Sequence, residues 1–252
     1  MVLHIKNLSK NFKGLQAINN LSMDIRNSEM LGIIGPNGAG KSTLFNLLTG
    51  FLHPNSGEII FDGKVITNLP SHTIARGGIS RTFQTTRVFK DESVLNNVLV
   101  GLIPATNHDL WTTLIGRRKK NELQLSRLCE EVLHLIDLVE KSDILAGELD
   151  QEEQKRLAIG IAMATNPKLL LLDEPTAGVN IEEINHLVSI IRRIGKSGVT
   201  ICLIEHKMKV VMELCERIIV LNHGEKIAEG TPQEVRHDEE TVKAYLGEEY
   251  AT

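Results

Sequence analysis

The residues from Gly35 to Thr43, GPNGAGKST, carry the most specific chemistry in this chain. Gly35, Gly40, Lys41 and Ser42 fit the pattern G-x-x-x-x-G-K-[ST], and a polyphosphate ligand accounts for each part of it. Glycine lets successive backbone N–H groups turn inward around a β-phosphate, because no Cβ blocks the approach. Lys41 reaches the β- and γ-phosphates as a point charge, and the Ser42 hydroxyl suits Mg²⁺. Asn37, Gly38, Ala39 and Thr43 complete the loop expected to wrap the phosphates. A turn without a ligand would not need Lys-Ser at fixed offsets from two glycines.

Two further groups of residues suit the same chemistry. Leu169–Glu174 reads LLLLDE, four leucines followed by two acids. A strand apolar on both faces is a central parallel strand, and carboxylates at its C-terminal end lie where open α/β sheets bind ligands. Asp173 is expected to hold Mg²⁺ through water, and Glu174 to polarise an attacking water. Thr200–Ile204 (TICLI) reads as the next core strand and is followed by Glu205-His206. With a γ-phosphate at that edge, His206 is placed to sense it. Phe12, in Asn11-Phe12-Lys13-Gly14, has two readings: a ring capping the core beside a turn, or a platform on which adenine stacks.

These groups need a scaffold, and the pattern supplies one. Leu31–Ile34 before the loop is a short buried strand, and Leu44–Gly50 after it is helical with Gly50 as a natural C-terminal stop. Leu3–Leu8 and Ala17–Ile25 alternate apolar and polar residues as strands do. Asp62-Gly63 between Glu58–Phe61 and Lys64–Ile66 signals a hairpin, and Ile218–Leu221 with Lys226–Ala228 makes another. Phe89–Leu102 has helical spacing with Asp91 or Ser93 as its cap, and Leu123–Val139 carries a helical stripe. The basic cluster Arg117–Lys120 reads as a solvated helix start, with contact to anionic lipid headgroups as the alternative. Across 252 residues the apolar content is 42% and the net charge −4, which supports a core and argues against nucleic acid as a partner. Three scattered cysteines point to reduced thiols. The longest apolar runs are far below the roughly 20 residues that span a bilayer, and no signal peptide is expected.

In this order, and along essentially the whole chain, the pieces resemble the nucleotide-binding subunit of an ABC transporter. GPNGAGKST looks like its Walker A, LLLLDE its Walker B, Gln84 its Q-loop glutamine and His206 its switch histidine, and Phe12 falls where the adenine-stacking aromatic belongs. Ala177-Gly178-Val179-Asn180 looks like its D-loop. Arg81-Thr82-Phe83-Gln84, the long insert after Gly101, Ile204-Glu205-His206, Glu229-Gly230-Thr231-Pro232 and Ala244-Tyr245-Leu246-Gly247-Glu248 point to the ATPases of branched-chain (LIV-type) amino acid importers, in particular the longer of their two ATPase subunits. The resemblance implies an α/β fold: a P-loop NTPase (RecA-like) core with an antiparallel β layer and an inserted α-helical subdomain. It implies a single ABC ATPase domain over 1–252, with its core at about 1–90 and 166–252 and the helical insertion at about 91–165. ATP and Mg²⁺ are the implied cofactors. Glu174, His206 and Gln84 would be catalytic, and Ser42, Gln84 and Asp173 would serve the metal. The implied setting is peripheral, on the cytoplasmic face of the inner (plasma) membrane. The partners would be a second ABC ATPase subunit, two integral-membrane permease subunits and a solute-binding protein.

One stretch departs from the family. Its signature, Leu-Ser-Gly-Gly-Gln, should stand where this chain has Leu149-Asp150-Gln151-Glu152-Glu153. In the family this stretch opens a helix whose Ser and N–H groups bind the γ-phosphate of ATP held by the opposite subunit, an ordinary anion site at a helix N-terminus. Here Asp150 and Glu153 form a D-x-x-E capping box, so the helix start satisfies its own donors. Facing a γ-phosphate, each acid would cost roughly 4 kcal/mol at 4 Å and an effective dielectric near 20, which Lys155 and Arg156 would partly offset. The expected ATPase subunit therefore prefers a heterodimer, with a homodimer as the other possibility. The alternatives are a nucleotide-dependent interaction subunit with little or no hydrolysis, and the ATPase of a lipid or lipopolysaccharide exporter.

Overall fold

The structure, a computed structural model, describes residues 1–82, 88–102 and 118–249. Among these, one compact unit takes in residues 1–81, 168–174 and 195–249, and a second takes in 82, 88–102, 118–167 and 175–194.

The first unit holds two sheets. In the antiparallel one, β1 (Leu3–Phe12) lies between β2 (Leu15–Ile25) and β4 (Ser56–Phe61), with β5 (Lys64–Val65) at the edge. Strands β1 and β2 run further than their alternation indicates, to a two-residue turn at Lys13-Gly14. The reason is irregular pairing: the register shifts between Ile5 and Leu8 and again on either side of Lys10, and Asn7 and Asn20 take positive φ. Each irregularity resets the side-chain period, so the pattern breaks while the strand continues. Asp62-Gly63 turns with φ of 49° and 74°, both positive as a type I′ hairpin requires.

The second sheet has six strands in the order β10-β9-β3-β8-β7-β6. They are β3 (Met30–Ile34), β6 (Ile79–Arg81), β7 (Leu169–Asp173), β8 (Thr200–Ile204), β9 (Arg217–Asn222) and β10 (Glu225–Gly230). All pairings are parallel except that of β10 with β9. Every residue of β3, β7 and β8 is buried, as their unbroken apolar runs require of strands covered on both faces. Helix α1 (Lys41–Leu48) packs Leu44, Phe45 and Leu48 into one core with Ile5 and Leu8 of β1 and Ile33, Leu171 and Ile204 of the parallel sheet. Core formation thus fixes the helix that follows the phosphate loop relative to both sheets.

The second unit is helical. It contains α3 (Val94–Leu102), α4 (Arg118–Leu135), α5 (Gln151–Ala164) and α6 (Ile181–Lys196) as far as Ile194. Small residues let the helices approach: a Cβ on Gly101 would lie 2.5 Å from the Ile161 carbonyl oxygen. Helix α3 starts at Val94, later than its spacing indicates, and Ser93 rather than Asp91 caps it, its Oγ accepting from Asn96 N at 3.1 Å. The fully buried Asn97 explains the late start. Its side chain accepts from Phe89 N at 2.8 Å and donates to Phe89 O at 3.0 Å, holding Phe89 out of the helix. The cluster Arg117–Lys120 begins outside the described residues. Among the described residues no helix is long and apolar enough to cross a membrane. The first unit's short helices are α2 (Ser71–Arg76), α7 (Met208–Leu214), α8 (Pro232–Arg236) and α9 (Glu239–Glu249).

A buried charge ties the first unit's strands together. Arg217, at the start of β9, is 2.7 Å from Glu29, is paired with Glu229 of β10, and donates to Asp24 O of β2 at 2.8 Å. Burial works against its charge, but the two carboxylates hold its pKa above the ordinary arginine value. Removing one partner of such a set strands the others in low dielectric. Arg217→Met is expected to cost about 3–5 kcal/mol in urea unfolding, and Arg217→Met with Glu29→Gln to recover part of that loss.

Candidate functional site

Strands β3, β7 and β8 run parallel and end at one edge, which gathers residues far apart in sequence. After β3 the chain turns through Gly35 (φ 149°), Gly38 (φ 77°) and Gly40 (φ 102°), conformations that a side chain resists. Two of these glycines are also required by space. A Cβ on Gly35 would overlap the Leu221 carbonyl oxygen, and one on Gly40 would lie 2.5 Å from the Ala17 carbonyl oxygen. Lys41 opens α1 and is buried, its Nζ donating to Gly35 O at 2.6 Å and Pro36 O at 2.8 Å. The ammonium is thus already held over the loop, on carbonyls that phosphate oxygens would replace as acceptors. Ser42 beside it is exposed.

An open cleft of about 340 Å³ follows this edge, lined by Asn37 to Thr43 together with Phe12, Glu174 and His206. Leu15, Gln16, Ala17 and His223 complete its wall. Phe12 is half exposed beside the hairpin turn, so it caps no core. Lys10 Nζ stands 5.2 Å from its ring centroid and donates to His53 O at 2.7 Å, which steadies the ring.

Glu174, at the end of β7, has φ of 47°, an uncommon conformation for a non-glycine residue. Its N–H donates to Ile204 O at the end of β8, at 2.9 Å, which turns the chain there. Its Oε1 is 3.0 Å from His206 Nε2. A strained residue over-determined by its neighbours is a functional candidate. His206 is positioned by a residue that sequence reasoning passed over. The buried Glu205 accepts from the N–H groups of His206 at 3.0 Å and Lys207 at 3.2 Å. Asp173 also gains an unexpected neighbour. Arg81 Nη2 lies 2.8 Å from Asp173 Oδ2, Nη1 donates to Asn46 at 2.7 Å, and the guanidinium sits 5.5 Å from the Phe45 ring centroid. Gln84 lies outside the described residues.

The donor set fits Mg²⁺. Ser42 and Asp173 are hard oxygen donors, and Mg²⁺ keeps several waters and takes phosphate oxygens, so one or two protein groups suffice. Arg81 occupies Asp173 Oδ2, which fits contact through water better than direct coordination. Among the described residues no group of three or more His, Cys, Asp and Glu could hold a metal alone.

In the helical unit, α5 opens with the expected capping box. Asp150 Oδ1 accepts from Glu153 N at 2.8 Å, and Glu153 Oε2 accepts from Asp150 N at 3.2 Å. Two of the three acids in this stretch turn inward. Glu152 is buried, 2.7 Å from Arg156 Nε and 3.3 Å from His186 Nδ1. Burial, ahead of those partners, raises its carboxyl above the ordinary range. Glu153 pairs with Lys141 and, at 3.6 Å, with Arg156. Arg156 is itself buried and donates to Ile136 O and Asp137 O, so it offsets nothing outside. Asp150 and Gln151 are the exposed residues here, and Gln151 leaves no room for a Cβ on Gly178.

A parallel sheet, a phosphate loop entering a helix, and acids ending the neighbouring strand define a P-loop NTPase core, here with an antiparallel β layer and an inserted helical part. The sequence pattern of the ABC transporter family matches residues 18–177, and that of the branched-chain amino acid ATP-binding cassette transporter matches residues 225–251. The chain belongs to the ATP-binding cassette family of ABC transporters. It is 40% identical over 250 residues to the high-affinity branched-chain amino acid transport ATP-binding protein LivG of Salmonella typhimurium, and 39% identical to BraF of Pseudomonas aeruginosa, with 98% of both chains covered in each case. A nucleotide-free ATP-binding cassette from an ABC transporter superposes with a TM-score of 0.84 at 32% identity, covering 97% of this chain and 98% of that one.

Glu205→Ala removes the acceptor for two N–H groups. The amides of His206 and Lys207 are then expected to lose hydrogen-exchange protection, with a stability loss of about 1–2 kcal/mol. Unchanged protection would show that the segment is held without Glu205.

Proposed function

We propose that this chain, read over residues 1–252 as one ABC ATPase domain, binds and hydrolyses ATP to drive import of branched-chain amino acids or related small polar solutes. The observation that carries the chemistry is the convergence of Lys41, Asp173, Glu174 and His206 at one sheet edge, with Glu174 and His206 in contact at 3.0 Å. The match over residues 225–251 favours the amino acid importer over a lipid or lipopolysaccharide exporter.

In this reading adenine stacks on Phe12, and the N–H groups from Asn37 to Thr43 receive the phosphates. Lys41 exchanges the carbonyls of Gly35 and Pro36 for β- and γ-oxygens. Ser42, Asp173 and Gln84 would hold Mg²⁺, which neutralises charge on those oxygens. Glu174 takes a proton from a water as that water's oxygen attacks the γ-phosphorus in line. The bond to the β–γ bridging oxygen breaks and ADP leaves with the electron pair. His206 holds Glu174 in place and faces the γ-phosphate as charge shifts.

The setting is the cytoplasmic face of the inner (plasma) membrane, with two permease subunits, a solute-binding protein in the complex and no nucleic acid. Phe89 is 56% exposed while its backbone is clamped by Asn97, so it offers a rigid apolar anchor to a permease. The second ATPase subunit is a different chain, because α5 presents an exposed Asp150 and a start whose Glu153 and Gln154 N–H groups are already taken by that residue.

Two measurements test this. In the assembled transporter, Glu174→Gln should keep ATP binding and slow hydrolysis by roughly 10²-fold or more, the scale of a lost general base. Full turnover would move the base elsewhere. In the Glu174→Gln background, size-exclusion with ATP should find this chain monomeric. Adding Asp150→Ser and Gln151→Gly, which leaves the buried Glu152 and Glu153 pairs intact, should give an ATP-dependent dimer. Equal dimerisation before and after would end the heterodimer reading.

A further inference from the structure

The cleft contains one titratable side chain with no task in that reading. His223 stands with Gly224 in the two-residue turn between β9 and β10 and lines the cleft with Gln16, Ala17 and Asn37. We propose that His223 contacts the ribose and α-phosphate of the bound nucleotide and sets affinity for ATP and ADP alike. This deepens the nucleotide reading of the cleft and rests on it.

The position follows from how the turn is held. Gly224 N donates to Ala39 O at 3.0 Å, and Asn19 N donates to Gly224 O at 2.9 Å. The turn is therefore fixed both to the phosphate loop and to β2, which leads from the hairpin bearing Phe12. It is also wedged: a Cβ on Gly224 would lie 2.7 Å from Ala17 O, and its Cα is 3.5 Å from the Cβ position of Gly40. Phe12 and Leu15 belong to the hairpin at one part of the cleft, while Lys41, Glu174 and His206 belong to the sheet edge. A residue anchored to Ala39 and β2 serves what joins adenine to the β-phosphate, which is ribose and α-phosphate.

The residue type is the second argument. His223 has φ of 46° and Gly224 φ of 80°, the two positive values of a type I′ turn. Such turns favour Asn-Gly or Gly-Gly; histidine enters the left-handed region more readily than most residues but less readily than these, so the backbone alone does not account for it. Core packing does not select it either, because the side chain is exposed. Among the described residues neither ring nitrogen has a hydrogen-bond partner. What remains is the ring's reach into the cleft: an N–H donor when neutral, and a cation when protonated, suited to a ribose hydroxyl or a phosphate oxygen. His206 differs, since its contact with Glu174 places it where ATP and ADP differ.

The test is titration calorimetry of the full chain with MgATP and MgADP for the wild type, His223→Gly, His223→Gln and Lys41→Ala. Glycine suits a positive φ, so His223→Gly removes the ring and keeps the turn, and its Tm should hold or rise. Its Kd should increase about fivefold for both nucleotides, the scale of one hydrogen bond. His223→Gln, which restores a donor, should recover part of the affinity. Unchanged Kd values in His223→Gly would overturn the inference, and so would a loss confined to ATP, which would put the ring at the γ-phosphate. A wild type that binds neither nucleotide, or a Lys41→Ala chain that binds as tightly as wild type, would instead refute the nucleotide reading and the His223 inference with it.

Discussion

Three glycines let three pieces of backbone meet where any side chain would hold them apart. Gly35 abuts the Leu221 carbonyl, Gly40 the Ala17 carbonyl, and Gly224 both Ala17 and the neighbourhood of Gly40. These contacts join the phosphate loop to β2 and to the β9–β10 turn. A loop that is to receive an anion on its N–H groups gains if it keeps its shape without a ligand, because a preorganised site loses no binding energy to ordering. Close backbone packing supplies that shape. It also explains why the hairpin bearing Phe12 and the turn bearing His223 border the same cleft: the glycines that shape the loop bring them there.

The parallel sheet then adds Glu174 and His206. Strands β7 and β8 are in register so that Asp173 pairs with Ile204, and the next residues of each strand, Glu174 and Glu205, leave the sheet together. The bond from Glu174 N to Ile204 O bends the first out of line, and Glu205 folds back on the N–H groups of His206 and Lys207. Two neighbouring strand ends thereby bring a carboxylate and an imidazole within 3.0 Å across 32 residues of sequence. Neither strand could do this alone, since a strand end left to itself frays.

What the sequence revealed, and what it hid, divides by range. The phosphate loop, the acids after LLLLD, the Asp62-Gly63 turn and the capping box of α5 depend on residues within nine positions of one another, and spacing exposes them. Arg81 meets Asp173 from 92 residues away, and no local pattern marks an arginine as the neighbour of a given carboxylate. Glu205 was visible as an acid beside His206, but its burial and its return to the backbone were not. His223 follows a strand as an unremarkable turn residue, and only folding puts it in the cleft. The far end of β1 and the start of β2 escape the pattern for a related reason: bulges interrupt the alternation.

The start of α5 shows how range also decides sign. Read locally, Asp150, Glu152 and Glu153 are three negative charges at a helix N-terminus, good for the dipole and bad for an anion arriving from outside. His186 lies 34 residues from Glu152 and turns it inward together with Arg156, while Lys141 takes Glu153. The charge presented outward falls from three to that of Asp150. The donors fall as well. Asp150 claims Glu153 N through its side chain and Gln154 N through its carbonyl, which leaves the N–H groups of Gln151 and Glu152. An incoming phosphate would therefore meet two donors behind one carboxylate. At roughly 4 kcal/mol for a charge pair at 4 Å against about 1.5–3 kcal/mol for a hydrogen bond to a charged group, the balance is close to even. Repulsion is then weaker than the number of acids implies, and Asp150 lowers the capacity of this helix start for an anion chiefly by taking the N–H groups of Glu153 and Gln154 for itself.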